Sequence, residues 1–151
     1  MTSVFDQTDV TEMINRIDNL KPSSKPLWGK MTVAQMLAHC NVSYELVYEN
    51  KHPKPNAFTK ILLKLFLKNL IVKNTKPYKK SLQTAPAFLI KEDKNFDEEK
   101  TRLINHIKKT QELGGNYFDG KESHSFGRLT KHEWDVMFYK HLHHHLKQFG
   151  V

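Results

Sequence analysis

A single cysteine, Cys40, stands alone in the chain, so no internal disulfide can staple the fold and a packed core must hold it, as in a reducing cytosol. No stretch offers about 18 uninterrupted apolar residues, which leaves no membrane span. The opening Met1-Thr2-Ser3-Val4-Phe5-Asp6 has neither the charged start nor the apolar run of a secretion signal, and the expected location is cytoplasmic. Glycine and proline are scarce, 6 of each, beside 38% apolar residues; that balance predicts one soluble, mostly helical domain over residues 1–151. Several chemistries lack their parts. There is no Gly-rich phosphate loop and no Cys-x-x-Cys, which sets aside nucleotide hydrolysis and dithiol redox work. No serine sits in a nucleophile-elbow setting, and a pair of Glu-x-x-His motifs on helices, the mark of a di-iron bundle, is missing.

Acid is absent where base is densest. From Asn50 to Lys91 there are ten lysines and no Asp or Glu, against a net charge of +8 for the whole chain. That stretch also lacks arginine, the usual residue for bidentate contact with phosphate or guanine, so specific nucleic-acid binding is not expected. Within it, Ala57 to Val72 reads as a helix with Lys60, Lys64 and Lys68 at i+4 spacing and apolar residues around much of the remainder. Such a helix either covers the bundle with its lysines in water or lies on a membrane or partner.

The last helix organises what is present. Thr130 with Glu133 three residues on reads as a capping box opening a helix nearly to the C-terminus. At 100° per residue, Trp134, Met137, Phe138, His141, Leu142, His145, Gln148 and Phe149 fall within about 70° of one direction, the core face. His141 and His145 are one turn apart on that face. His143 points away among Val136, Lys140 and Lys147, with His144 at the edge. An inward imidazole pair at i, i+4 can chelate one cation if another helix adds a ligand; it can equally be a hydrogen-bonded core pair. Both readings stay open at this point.

Upstream, Asp6 or Thr8 caps a helix carrying Val10, Met13, Ile14 and Ile17. A linker with Pro22, Pro26 and Gly29 follows, in which Trp28 plugs an end of the core. Thr32 and Gln35 form a second capping box for a helix to Glu49, with Val33, Met36, Leu37, Cys40, Tyr44 and Val47 as its core stripe. His39 lies on the flank with Met36, Ser43 and Leu46, half in and half out. Cys40 reads as an inert buried thiol. Asn74 to Ile90 is an extended crossover with a weak strand signal at Phe88 to Ile90. A helix from Asn95 or Asp97 is closed by Gly114-Gly115, with His106 on its surface, and Tyr117 to Leu129 is a connection holding His124.

Trp28-Gly-Lys-Met-Thr-Val-Ala-Gln-Met-Leu-Ala-His-Cys40, His124-Ser-Phe-Gly-Arg-Leu-Thr130 and His141-Leu-His-His-His-Leu-Lys-Gln-Phe149 together resemble the DinB-like superfamily, over about Trp28 to Phe149, and within it a branch known only as a domain of unknown function. The resemblance implies an all-α, up-and-down four-helix bundle, here with an extra basic helix in the long crossover. It implies one divalent metal held by three histidines, carried over as His39, His141 and His145. Zinc is the default ion, with nickel, iron or manganese as alternatives. Glu133 and Gln148 become the candidates for orienting the imidazoles. The family's ending His-Arg-Gly-Gln departs here to His145-Leu-Lys-Gln148, which keeps the glutamine and weakens any inference about substrate. Relatives include transferases and isomerases using a small thiol cosubstrate, and metal-dependent hydrolases. The expected function is therefore a transferase or hydrolase acting on a small molecule. The alternative is a non-catalytic bundle with structural histidines and a basic face for an acidic partner or membrane. Family habit and the apolar surface around residues 61–72 leave a homodimer open.

Overall fold

Every α-helix of this computed structural model, which describes residues 2–49, 51–73, 76–80 and 85–151, begins on a polar side chain that satisfies its first free amides. Asp6 caps α1 (Gln7–Asp18), Asn56 caps α3 (Ala57–Phe66) and Asn95 caps α4 (Phe96–Phe118). Thr32–Gln35 and Thr130–Glu133 close full capping boxes on α2 (Val33–Tyr48) and α5 (Lys131–Gln148). Each such cap contributes about 1 kcal/mol and fixes where a helix enters the fold.

The described chain is all-α apart from one two-residue-per-strand hairpin, β1 (Glu122–Ser123) against β2 (Gly127–Arg128). Helices α1, α2, α4 and α5 share a core. Its centre is aromatic: Phe138 lies face to face with Tyr44 at 4.9 Å and beside Trp134 at 5.5 Å, and Phe118 closes on both α5 rings. Burying each of these side chains contributes about 1.5–3 kcal/mol, and the stacked pairs add to that.

A polar seam joins α2 to α4. The Asn41 amide donates to the Glu99 carboxylate at 2.8 Å, and Arg102 bridges Glu99 and Glu45. Burial opposes ionisation of Glu45, but hydrogen bonds from Lys51, His52 and Arg102 outweigh it and hold its carboxyl down to about 2. His106, expected at the surface, belongs to this seam. Its Nδ1 donates to Asn41 Oδ1 at 3.0 Å and its ring stacks on Tyr44, because the helix turns it toward α2 just beside the Leu103–Ile107 stripe.

Other expectations need correction. The helix at Ala57 stops at Phe66 and passes into a π-helical turn, Asn69–Lys73. Phe88 to Ile90 forms no strand: Pro86–Phe88 is a 3-10 turn with proline in its first position, which removes a ladder donor. Gly114 breaks α4 with φ +70°, but the chain regains a turn to Phe118. The far side of α5 is not solvent, because the π-helical turn packs on it. Val136 and Lys140 are therefore buried, the ammonium donating to the Leu70 carbonyl at 2.6 Å and lying over the Tyr78 ring. Residues 74–75 and 81–84 of the expected crossover lie outside the described residues.

The contrast between core and α3 predicts two mutational outcomes. Phe138→Ala should cost about 3–5 kcal/mol, while Phe58→Ala, at a ring that is 71% exposed, should stay within about 0.5 kcal/mol. Urea denaturation of the two variants checks both.

Candidate metal centre

Two helices bring three imidazoles to one place. α2 presents buried His39, and α5 presents His141 and His145 from successive turns of its inner face. One ring nitrogen of each lies within 4.8 Å of the others, and His39 Nε2 is 3.0 Å from His141 Nε2. The wheel that left His39 undecided is resolved by the neighbouring segment: Phe88 covers that flank of α2, its ring 5.2 Å from the imidazole.

The other nitrogen of each ring is held. His39 Nδ1 is 2.8 Å from the Phe88 carbonyl oxygen, which only accepts, so Nδ1 carries the hydrogen and Nε2 the lone pair. His145 Nδ1 is 2.8 Å from Gln148 Oε1, while Gln148 Nε2 donates to the Trp28 carbonyl at 2.8 Å. That second bond fixes the amide's orientation, so His145 also donates from Nδ1 and keeps its Nε2 lone pair. His141 Nδ1 meets Ser43 Oγ at 2.8 Å, and a hydroxyl serves either tautomer. With Nδ1–H donating to Ser43, the Nε2 of all three rings carries a lone pair free for a shared ligand. With Ser43 donating, His141 Nε2–H reaches the His39 lone pair instead.

Burial makes all three imidazoles weak bases. Desolvation lowers His39, holds His141 well below the ordinary histidine range and takes His145 down to about 3, with the neighbouring histidines acting in the same direction. Neutral imidazole is the form that binds a metal. The donor set fits a divalent ion of the zinc type: nitrogen ligands only, a defined tautomer at two positions, and a partner behind each ring.

A cavity of about 630 Å³ opens over the cluster. Leu46 and Val47 of α2, Leu63 of α3, Leu67 just past its end, Phe88 and Met137 give it apolar walls, and His144 stands in its wall against Trp28 and Tyr78. Trp28 is therefore not a plug in the core but part of the cavity rim, with Lys80 over its ring. Gly29 is required there: its φ is +83°, and a Cβ would lie 2.7 Å from Gln148 Nε2.

Of the two residues expected to orient imidazoles, Gln148 does so for His145. Glu133 closes the capping box through the Thr130 amide and pairs with Lys68. His143 meets Arg16 and Tyr139 on the α1 side. Cys40 is fully buried with its thiol pushed up by desolvation, as expected of an inert core residue. Ser43 and the Phe88 carbonyl were missed. Ser43 was legible, since it follows His39 by one turn in the same row; a backbone carbonyl carries no sequence signal.

The histidines also set an acid limit. Because their folded pKa values lie below the unfolded value of about 6.5, the unfolded chain binds protons first as pH falls. Stability is then fully present above about 6.5 and declines below it. Thermal unfolding of the metal-free chain should drop between pH 7 and pH 5, and more steeply than in a His145→Gln variant.

No curated protein and no solved structure matches the chain. A family model does match, over residues 3–150 of 151. By that match the chain belongs to the family described as Protein of unknown function (DUF1569).

Proposed function

We propose that the chain is a single-domain metal-dependent enzyme, a four-helix bundle of the DinB type, with one divalent cation on His39, His141 and His145. The observation that carries this reading is that each ring has its Nδ1 anchored, by Phe88, Ser43 or Gln148, while one nitrogen of each ring lies within 4.8 Å of the other two. Zinc is the default for an all-imidazole set, with nickel, iron and manganese as alternatives. A cation on three neutral ligands supplies Lewis acidity at its remaining position, lowering the pKa of a bound water or thiol.

The chain's own residues define the rest of the chemistry. Leu46, Val47, Phe88 and Met137 give the space above the cluster apolar walls and suit an apolar small-molecule substrate. Among the described residues lining the cavity there is no Asp or Glu, so no carboxylate stands ready as a general base for hydrolysis. That favours transfer to or from a small thiol over hydrolysis. Besides the three ligands, the titratable side chains in the wall are His144, His124, Tyr78, Lys30 and Lys91.

A second reading is a structural histidine cluster, favoured by the 3.0 Å contact between His39 Nε2 and His141 Nε2, which suits a direct hydrogen bond. Metal analysis of untagged protein separates the two. The metal reading predicts close to one equivalent of metal in the wild type and in His143→Ala, and loss of it in His39→Ala and His141→Ala. Absence of metal in the wild type, with no thermal stabilisation by added zinc or nickel, selects the structural cluster. Gln148→Leu keeps the side-chain bulk without the acceptor and should weaken zinc binding by about 10–100-fold.

A further inference from the structure

Helix α3 has two apolar faces. Leu63 turns inward to wall the cavity, which Leu67, just past the helix end and 37% exposed, also lines. Phe58, Ile61, Leu62, Leu65 and Phe66, spaced i, i+3, i+4, i+7 and i+8, turn outward, where their exposure runs from 39% at Leu62 to 75% at Phe66. The helix has no fully buried residue, and ten residues of helix are marginal without a partner. Five large apolar side chains on one outer face form a contiguous patch of the kind that marks an interaction site.

Charge selects the partner. Lys64 is exposed on the same helix, whereas Lys60 and Lys68 are paired with Glu122 and Glu133. At its N-terminal end Lys54, Lys60 and Arg128 all act on the exposed Glu122 carboxylate, leaving a local excess of positive charge. The sequence from Asn50 to Lys91 contributes ten lysines and no acid. A second copy of this chain would bring the same cations face to face, a repulsion that a self-complementary contact must overcome. An anionic lipid surface meets both requirements: headgroups for the lysines and an acyl boundary for the phenylalanines and leucines.

We infer that the outer face of α3 docks on anionic membrane surfaces, with Phe58, Ile61, Leu65 and Phe66 entering the acyl boundary and the exposed Lys54 and Lys64 engaging the headgroups. This inference stands whether or not the histidines hold a metal. Docking sets the helix that walls the cavity against the lipid, so the cavity lies next to a reservoir of apolar molecules.

The test is cosedimentation of the full chain with vesicles of phosphatidylcholine alone or with about 30% phosphatidylglycerol. Binding should be at least tenfold tighter to the anionic vesicles and fall as NaCl rises from about 0.05 to 0.5 M. Phe58→Ser/Phe66→Ser should lose at least tenfold while its circular dichroism and melting stay those of the wild type, since both rings are exposed. A Phe66→Trp variant should show a blue-shifted emission on anionic vesicles only. Failure of the wild type to bind anionic vesicles overturns the proposal. So does equal binding by the double variant, which would assign adhesion to net charge alone. A concentration-dependent dimer that the double variant abolishes, without vesicle binding, would give this face to a second copy instead.

Discussion

Three imidazoles can be buried together only if each has a partner for the nitrogen it does not share, and the arrangement of the chain around α5 follows from that requirement. Each unpaired ring nitrogen in a dry site would cost about 1–3 kcal/mol. The partners come from three separate places in the sequence: Ser43 one turn beyond His39, the carbonyl of Phe88 in the crossover, and Gln148 at the end of α5. Gln148 is in turn held by the Trp28 carbonyl, and the Leu27 amide donates to the Gln148 carbonyl at 2.7 Å. The linker before α2 is thereby fastened to the last helix, with Gly29 at the point of closest approach.

The same arrangement sets the chemistry. A lone buried histidine needs hydrogen bonds and nothing more. Three neutral imidazoles with Nδ1 donating at each would carry a shared cost, because burial keeps them from protonating to relieve it at neutral pH. A divalent cation would remove that cost. Ser43 lets the cluster exist with or without one, since its hydroxyl can accept from His141 or donate to it while the tautomers at His39 and His145 stay fixed.

Capping and periodicity made the helices legible. Both Ser/Thr-type boxes lie where Thr32–Gln35 and Thr130–Glu133 place them, and the inward pair His141 and His145 follows from the wheel. What the wheel could not show was anything decided by a distant segment. His39 is buried because Phe88 lies over it, and His106 is half-buried because Asn41 draws it toward α2. Lys140 sits under the π-helical turn although its face of α5 reads as polar. The break at Gly114 was visible, but not the turn that resumes after it, which carries buried Phe118 into the aromatic core. Resemblance supplied His39 where spacing alone did not. The exposed apolar face of α3 was legible as a pattern, since its lysine row and leucines were plain; which side faces the cavity was not.

The measurement that bears most directly on the preformed centre is calorimetric titration of metal-free chain with zinc at pH 6, repeated in two buffers of different ionisation enthalpy. The buffer dependence gives the protons released per ion bound. Three imidazoles already neutral in the fold predict one ion per chain and almost no proton release. Histidines of ordinary basicity would release roughly two protons at that pH. A release of that size, or zinc uptake unchanged by His39→Ala, would contradict a preformed three-histidine centre.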